Sequence, residues 1–465
     1  MTDRGRSVRL ITVEALLLLA MGGLASRLVY LHIGPNDVRL EAAEKVGRYV
    51  KPLRVARGRI YDGSRARNIV AMNVSVDDIC ADPSLIHRRG KVEQVSRALV
   101  EDLHFDPATV DSLLADPKRQ FAYLRRLVPI DEAEEIRDRR LPGVFLQDVS
   151  ARYYPQGPFM CHVVGFANRD GVGSLGVEQA MDRFLRGSPG VLEGRLDGRR
   201  RELYTRRVKE VPARDGADVW LTIDQHIQYF VEQALDDVVR EHAPRGACAI
   251  VQRVKTGEIL AMASRPAFDP NQFAGVPDRQ MFLNRALGMV YEPGSTLKPV
   301  AISLALARGI VQPDTVFDCE GGGWFHEGRV LRDFHPYGRL SVADILKKSS
   351  NIGTAKVALM LGDAQIEQGL RAFGFGRALG IDLPGEENGI LHPASRWSRI
   401  SCSRISIGQG VSATALQVLG MMCAIANDGF LMRPHVVDRV LSAEGCELYR
   451  AEPEVLGRPI DDSTA

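Results

Sequence analysis

Residues 290–300, Val-Tyr-Glu-Pro-Gly-Ser-Thr-Leu-Lys-Pro-Val, decide the reading of this chain. Gly294 opens a helix start, Ser295 is its first residue or cap, and Val300 to Gly309 supply an apolar body. Residues three apart on a helix share a face, so the Lys298 amine is expected within hydrogen-bonding reach of the Ser295 hydroxyl. A serine hydroxyl is a weak nucleophile and needs a neighbouring base. The positive end of the helix dipole and partial burial both favour a neutral lysine, the form that accepts a proton. Pro299 is tolerated because a first helical turn has no intrahelical partner for the missing N–H. An isolated S-x-x-K also fits a capped helix with an exposed lysine. Here it is the only such match, in a chain where lysine is scarce.

About fifty residues downstream, Ser349-Ser350-Asn351 follows the helical run VADILKKSS. Read as S-x-N, it offers a hydroxyl able to relay a proton and a carboxamide able to donate and accept at once. Alone it fits an ordinary turn cluster; behind S-x-x-K in this order it gains weight.

Around these motifs the chain has 465 residues, 45% hydrophobic and 25% charged, a globular composition large enough for two or three cores. The net charge of +2 is spread without a basic stripe, which argues against nucleic acid as a partner. The seven cysteines, Cys80, Cys161, Cys248, Cys319, Cys402, Cys423 and Cys446, form no C-x-x-C pair and no metal-ligand spacing, so no metal is expected and their pairing stays open. Arg4, Arg6 and Arg9 precede an apolar stretch from Leu10 to about Ile33, long enough to cross a ~30 Å hydrocarbon layer. The positive-inside rule places the N-terminus in the cytoplasm and the rest outside. The alternatives are a cleaved signal peptide and a buried soluble helix; the apolar residues that continue past Ala25 favour a retained anchor.

The remainder reads as α+β. VEQVSRALVEDL and IDEAEEIRDRRL have helical periodicity, while DGVGSLG and GSPGVLEG read as Gly-rich turns. A polar turn, a short strand at Val219 to Ile223 and a long amphipathic helix put a domain boundary near Arg214. ACAIVQRVKTGEILAMAS reads as a hairpin turning at Lys255 to Gly257; VADILKKSSNIGTAKVALMLG and ATALQVLGMMCAIANDG read as helices packed on a sheet. The expected domains are an anchor at 1–35, a second region at 36–215 and a third at 216–465.

S-x-x-K followed by S-x-N is the motif order of penicillin-binding proteins, and the surrounding text resembles their class B, most closely its septal, division-specific branch and the sporulation relative. The resemblance rests on NRAL at 284–287, VYEPGSTLKPV, LRDFHPYGRLSVADILKKSSNIGTAK at 331–356, GIDLPGEENG at 380–389 and IGQGVSATALQVLGMMCAIANDG at 407–429. Upstream, VARGRIYDGSR at 55–65, RYYPQG at 152–157, GSLGVEQAMDRFLRGSPG at 173–190 and LTIDQHIQ at 221–228 resemble the membrane-proximal pedestal, or dimerisation-type, domain and its junction with the catalytic domain.

The resemblance implies a single transmembrane helix, an α+β pedestal and a serine β-lactamase-like transpeptidase domain with helices packed on an antiparallel sheet. It implies a peptidoglycan D,D-transpeptidase without cofactor, in the bacterial inner membrane with its catalytic domain periplasmic. Ser295 would attack D-Ala-D-Ala stem peptides or β-lactams, Lys298 would act as base, Ser349 as proton relay and Asn351 as substrate-binding group, and the Ser295 N–H would supply half an oxyanion hole. It implies partners in the division complex, including a polytopic glycosyltransferase.

One element departs from the pattern. Lys255-Thr256-Gly257 spells the third motif, K-T-G, but precedes the nucleophile and is assigned a structural role; no lysine follows Lys356. PIDDSTA at 459–465 resembles the capped start of a helix that precedes the missing strand. The sequence is therefore expected to be cut short, and the chain as given to be inactive or unstable. A non-catalytic division scaffold or β-lactam-binding pseudoenzyme is the alternative; the intact Ser295, Lys298, Ser349 and Asn351 argue against it. A secreted β-lactamase fails on the anchor and the long second region.

Overall fold

A computed structural model describes residues 3–33, 48–53, 55–195 and 209–465. The start of the second region at residue 36 lies outside the described residues. The chain divides into two compact units, one formed by residues 1–55 and 188–214, the other by residues 56–187 and 215–465.

In the first unit, a helix runs Asp3–Ile33. Its stretch Ile11–Tyr30 is 20 residues long, fully unburied, and apolar enough to cross a membrane. At 1.5 Å per residue that is about 30 Å, the thickness of a hydrocarbon core. The same unit holds a three-stranded antiparallel sheet with Gly190–Arg195 in the middle, between Arg48–Leu53 and Lys209–Val211. The expectation of a Gly-rich turn over GSPGVLEG is thus half corrected: its second half is a central strand. One of its two partner strands, Arg48–Leu53, lies far away in sequence, and such long-range pairing leaves no local signal.

In the second unit, a mixed sheet runs in the order Glu447–Arg450, Val437–Leu441, Asp218–Leu221, Ile60–Tyr61, Ile69–Ala81, Ala122–Val128, with Val144–Tyr153 also paired to Ile69–Ala81. The pair Ile60–Tyr61 with Asp218–Leu221 is parallel and the other pairs are antiparallel. One continuous core follows, running from Ile60 and Val163 through Val219 and Leu304 to Val440. A smaller core under Ile79, Leu99, Val110 and Ile136 closes the outer end of the sheet. The helices expected at 92–103 and 130–141 lie there, at Val92–Arg97 continued by a π-turn Ala98–Asp102, and at Ile130–Asp138.

The long amphipathic helix forms at Gln225–His242, with Asp224 accepting from the N–H groups of His226 and Ile227. It packs on the hairpin Ala247–Gln252 and Ile259–Arg265, which turns where the sequence predicts. Lys255 in that turn is exposed and pairs with Asp428 at 2.8 Å, while a Cβ on Gly257 would meet the Arg433 carbonyl at 2.2 Å. The upstream K-T-G therefore closes a tight turn against a neighbouring loop.

The spacing of the upstream motifs has a physical cause. Glu178 is fully buried, with Oε2 accepting from Arg57 Nε at 2.7 Å and Oε1 from Arg152 Nε at 2.6 Å. Arg57 also donates to Asp182 Oδ1 at 2.7 Å and to the Glu178 carbonyl at 2.9 Å; Arg152 donates to the Gly58 carbonyl at 2.7 Å. VARGRIYDGSR, RYYPQG and GSLGVEQAMDRFL each contribute a member to this one network. Truncating a member of a buried ion cluster leaves its partners charged and unpaired, which costs about 3–5 kcal/mol. Glu178→Ala is expected to lower the unfolding free energy by that amount in urea denaturation; a loss below ~1 kcal/mol would show that the cluster does not hold this region together.

Candidate active site

The site is assembled from three loops. The first is the turn before the apolar helix. Gly294–Leu297 is 3₁₀, and the α-helix runs Lys298–Ala307 with Pro299 in its first turn. Ser295 is therefore neither cap nor first α-helical residue, a small correction. Its carbonyl accepts from the Lys298 N–H, an i→i+3 bond that eclipses side chains three apart and sets Ser295 and Lys298 on one face. Ser295 is exposed, and Lys298 is 1% exposed.

The second loop is the S-x-N segment. The expected continuous helix over 342–362 is broken in two, Val342–Lys347 and Asn351–Leu361. The break is at Ser349, whose φ of +56° lies in the left-handed region. A non-glycine residue there costs of order 1–3 kcal/mol and persists only where neighbours over-determine it. Ser350 caps the second helix, its Oγ accepting from the Gly353 N–H at 3.0 Å.

The two loops meet through Lys298. Its Nζ donates to the Ser349 carbonyl at 2.5 Å and to Ser349 Oγ at 2.9 Å. Among the described residues no side-chain hydrogen bond joins Lys298 Nζ to Ser295 Oγ, so the amine expected to face the nucleophile is held by the relay candidate instead. A buried ammonium takes the carbonyl, a strong acceptor. Burial pushes the Lys298 amine down from 10.5 to about 8, with the Asp333 carboxylate opposing the shift. Asn351 Nδ2 donates to the Arg332 carbonyl at 2.8 Å, which orients the carboxamide beside Ser349. All four sequence candidates thus fall on two adjacent turns.

Two features escaped the sequence reading. Asp333, at the end of the hairpin formed by Gly323–His326 and Arg329–Arg332, accepts from Ser350 Oγ at 2.7 Å and from the N–H groups of Asn351 at 2.5 Å and Ile352 at 3.0 Å. The third loop, 408–413, backs the nucleophile turn. Gly294 N–H donates to the Gly408 carbonyl at 3.1 Å, Tyr291 and Ala413 exchange two hydrogen bonds at 2.9 Å, and Gly410 N–H donates to Glu292 at 2.7 Å. Both lie in quoted stretches, LRDFHPYG and IGQG, but nothing in their letters tells what they touch. Among the described residues no cluster of His, Cys, Asp or Glu could hold a metal, and the seven cysteines are unpaired.

A pedestal-like region and an exposed serine on a turn with a buried lysine define a penicillin-binding serine acyl-transferase architecture, and the comparisons agree. Residues 247–465 match the penicillin-binding protein transpeptidase domain, and residues 52–221 match the penicillin-binding protein dimerisation domain. The peptidoglycan D,D-transpeptidase FtsI of Escherichia coli K12 is 33% identical over 430 residues, covering 91% of this chain and 71% of that protein. Stage V sporulation protein D of Bacillus subtilis is 33% identical over 315 residues, covering 67% of this chain and 48% of that protein. The crystal structure of penicillin-binding protein 3 from Mycobacterium tuberculosis in complex with ampicillin superposes with a TM-score of 0.66 at 27% identity, covering 89% of this chain and 73% of that one. The chain belongs to the class B penicillin-binding proteins, on the side of the division-specific branch.

Gly408 tests the backing loop. Its φ is +78°, and a Cβ there would meet the Gly294 carbonyl at 2.1 Å. A side chain in that conformation costs roughly 1–2 kcal/mol before any clash. Gly408→Ala is expected to lower the unfolding free energy by more than this and to displace residues 291–295 in a crystal structure of the variant; unchanged stability with an unmoved turn would refute the close packing.

Proposed function

We propose that this protein is a septal peptidoglycan D,D-transpeptidase in which Ser295 attacks the D-Ala-D-Ala amide of a stem peptide. The serine oxygen bonds to the carbonyl carbon, the amide C–N bond breaks, and D-Ala leaves with a proton. An amine of a neighbouring stem peptide then attacks the acyl-serine ester and restores the hydroxyl. Lys298 takes the Ser295 proton as general base, Ser349 relays it toward the leaving amine, and Asn351 holds the substrate backbone. The Ser295 N–H stabilises the oxyanion as one of its donors. β-Lactams acylate the same serine, and no cofactor takes part.

The observation that carries this reading is the buried Lys298 amine, one 3₁₀ turn from Ser295 and bonded to Ser349 Oγ. A lysine near pH 8 is neutral often enough to accept a proton, whereas an exposed one is not. That a relative 33% identical over 91% of this chain is a peptidoglycan D,D-transpeptidase supports the same chemistry.

The setting belongs to the same proposal. The apolar helix anchors the protein once in the inner membrane, residues 36–215 form the pedestal and 216–465 the catalytic domain in the periplasm. The anchor and pedestal dock division-complex membrane proteins, among them a polytopic glycosyltransferase. The three arginines before the helix support that orientation.

The protein expressed from its gene in membranes is the material for the test. A fluorescent penicillin is expected to label it at Ser295 and to leave Ser295→Ala dark. Lys298→Ala is expected to slow acylation by about 10²–10⁴-fold, the contribution of a positioned base. The wild-type rate should climb with pH through about 8, because deprotonation of Lys298 creates the base. Undiminished acylation in Lys298→Ala would end the assignment of that residue.

A further inference from the structure

Three donors converge on the Asp333 carboxylate: Ser350 Oγ and the N–H groups of Asn351 and Ile352. The aspartate is itself fixed, because its N–H donates to the Gly322 carbonyl at 3.1 Å. It therefore grips the residue after Ser349 and the first turn of the helix beyond. On the other side, Ser349 N–H donates to the Leu346 carbonyl at 3.2 Å and Ser350 N–H to the Ile345 carbonyl at 2.9 Å. Ser349 sits between these two grips at a positive φ, with both its carbonyl and its hydroxyl turned to Lys298 Nζ. Without the aspartate, only the Lys298 contact and the helix on the N-terminal side oppose relaxation of that strained residue.

We propose that Asp333 is a positioning residue for acyl transfer: its carboxylate, through Ser350, Asn351 and Ile352, locks Ser349 in the left-handed conformation that meets Lys298. The same carboxylate opposes the effect of burial on that lysine. The inference rests on, and deepens, the reading of Lys298 as the base.

The surroundings leave Asp333 as the anion that matters. The helix Val342–Lys347 carries Asp344, bonded to Ser341, and the exposed Lys347; the following Lys348 lies over the Tyr337 ring. The helix Asn351–Leu361 carries Lys356, whose amine is bound to the Asp318 carbonyl and Glu320. On the helix Asp363–Ala372, Glu367 and Arg371 neutralise each other and Asp363 lies at its start. Glu292, ahead of the nucleophile turn, is held by the Gly410 N–H. Asp333 alone among these carboxylates opposes the effect of burial on Lys298.

Two roles are bundled here, and two variants separate them. Asp333→Asn removes the charge at nearly constant shape, while its amide N–H₂ can no longer accept where the carboxylate did. Ser350→Ala keeps the charge and deletes one of the three bonds. The protein has ten lysines, so ¹³C-labelled lysine side chains, with Lys298 assigned by its loss in Lys298→Arg, report the titration of Lys298 whether or not the enzyme turns over. The expected result for Asp333→Asn is a Lys298 midpoint at lower pH than wild type, because an ammonium that loses its anion gives up its proton sooner. The rising limb of penicillin acylation should move the same way, and its plateau should fall by about tenfold. Ser350→Ala should lower the plateau by a few-fold and leave the limb in place. An Asp333→Asn protein whose Lys298 midpoint is that of wild type overturns the proposal. A wild type that is not acylated refutes the catalytic reading instead, and the lysine titration still decides the role of Asp333.

Discussion

Lys298 carries an ammonium into a place that water does not reach, and the rest of the site is arranged around that cost. The helix it opens is buried along Val300, Ala301, Ile302, Leu304 and Ala305, and packs on the helices Asn351–Leu361 and Asp363–Ala372. Holding a lysine at about 8 instead of 10.5 corresponds to about 3 kcal/mol against the charged form. The fold meets this with a carbonyl, a hydroxyl and a carboxylate, and, among the described residues, with no direct ion pair. That choice keeps the lysine poised. A carboxylate in contact would have fixed the proton on it, whereas burial without any acceptor would have collapsed the turn.

The acceptors are available only because the chain is forced into conformations it would otherwise avoid. Ser349 is left-handed, Gly294 and Gly408 have positive φ, and Gly408 approaches the Gly294 backbone too closely to carry a side chain of its own. Such strain persists where surrounding elements cannot yield. In the second unit they cannot, because one core runs unbroken from Ile60 to Val440 and the sheet continues across the parallel pair of Ile60–Tyr61 with Asp218–Leu221. The buried Arg57–Glu178–Arg152 cluster lies in the same unit and binds three separated stretches to it.

Local signals in the sequence carried much of this. The hairpin around Lys255, the helix after Asp224, the capped helix at Ala415–Ile425 and the S-x-x-K turn follow from periodicity and turn chemistry. The candidates Ser295, Lys298, Ser349 and Asn351 were legible because their spacing along the chain mirrors a spacing in a helical turn or loop. Asp333 and Gly408 were not, because each acts on residues 17 or more positions away through contacts made only after folding. The break at Ser349 was hidden for a related reason: KKSSN has adequate helix propensity, and the tertiary grip on either side overrides it. The central strand Gly190–Arg195 looked like a turn because its glycines dominate the local text, while its partners lie elsewhere in the sequence.

The two lysines that fit the family's motifs show why letters alone do not assign chemistry. Lys255 belongs to a K-T-G and Lys298 to an S-x-x-K, and both sit beside a tight turn. Lys255 is 66% exposed and pairs with Asp428 in solvent, where water screens the pair and leaves it little worth. Lys298 has lost nearly all contact with water, and burial pushes the same functional group down to about 8. What separates them is the element each is attached to: Lys255 projects from the turn of a hairpin into solvent, and Lys298 begins an apolar helix that is buried from Val300 to Ala305 and takes its first side chain in with it.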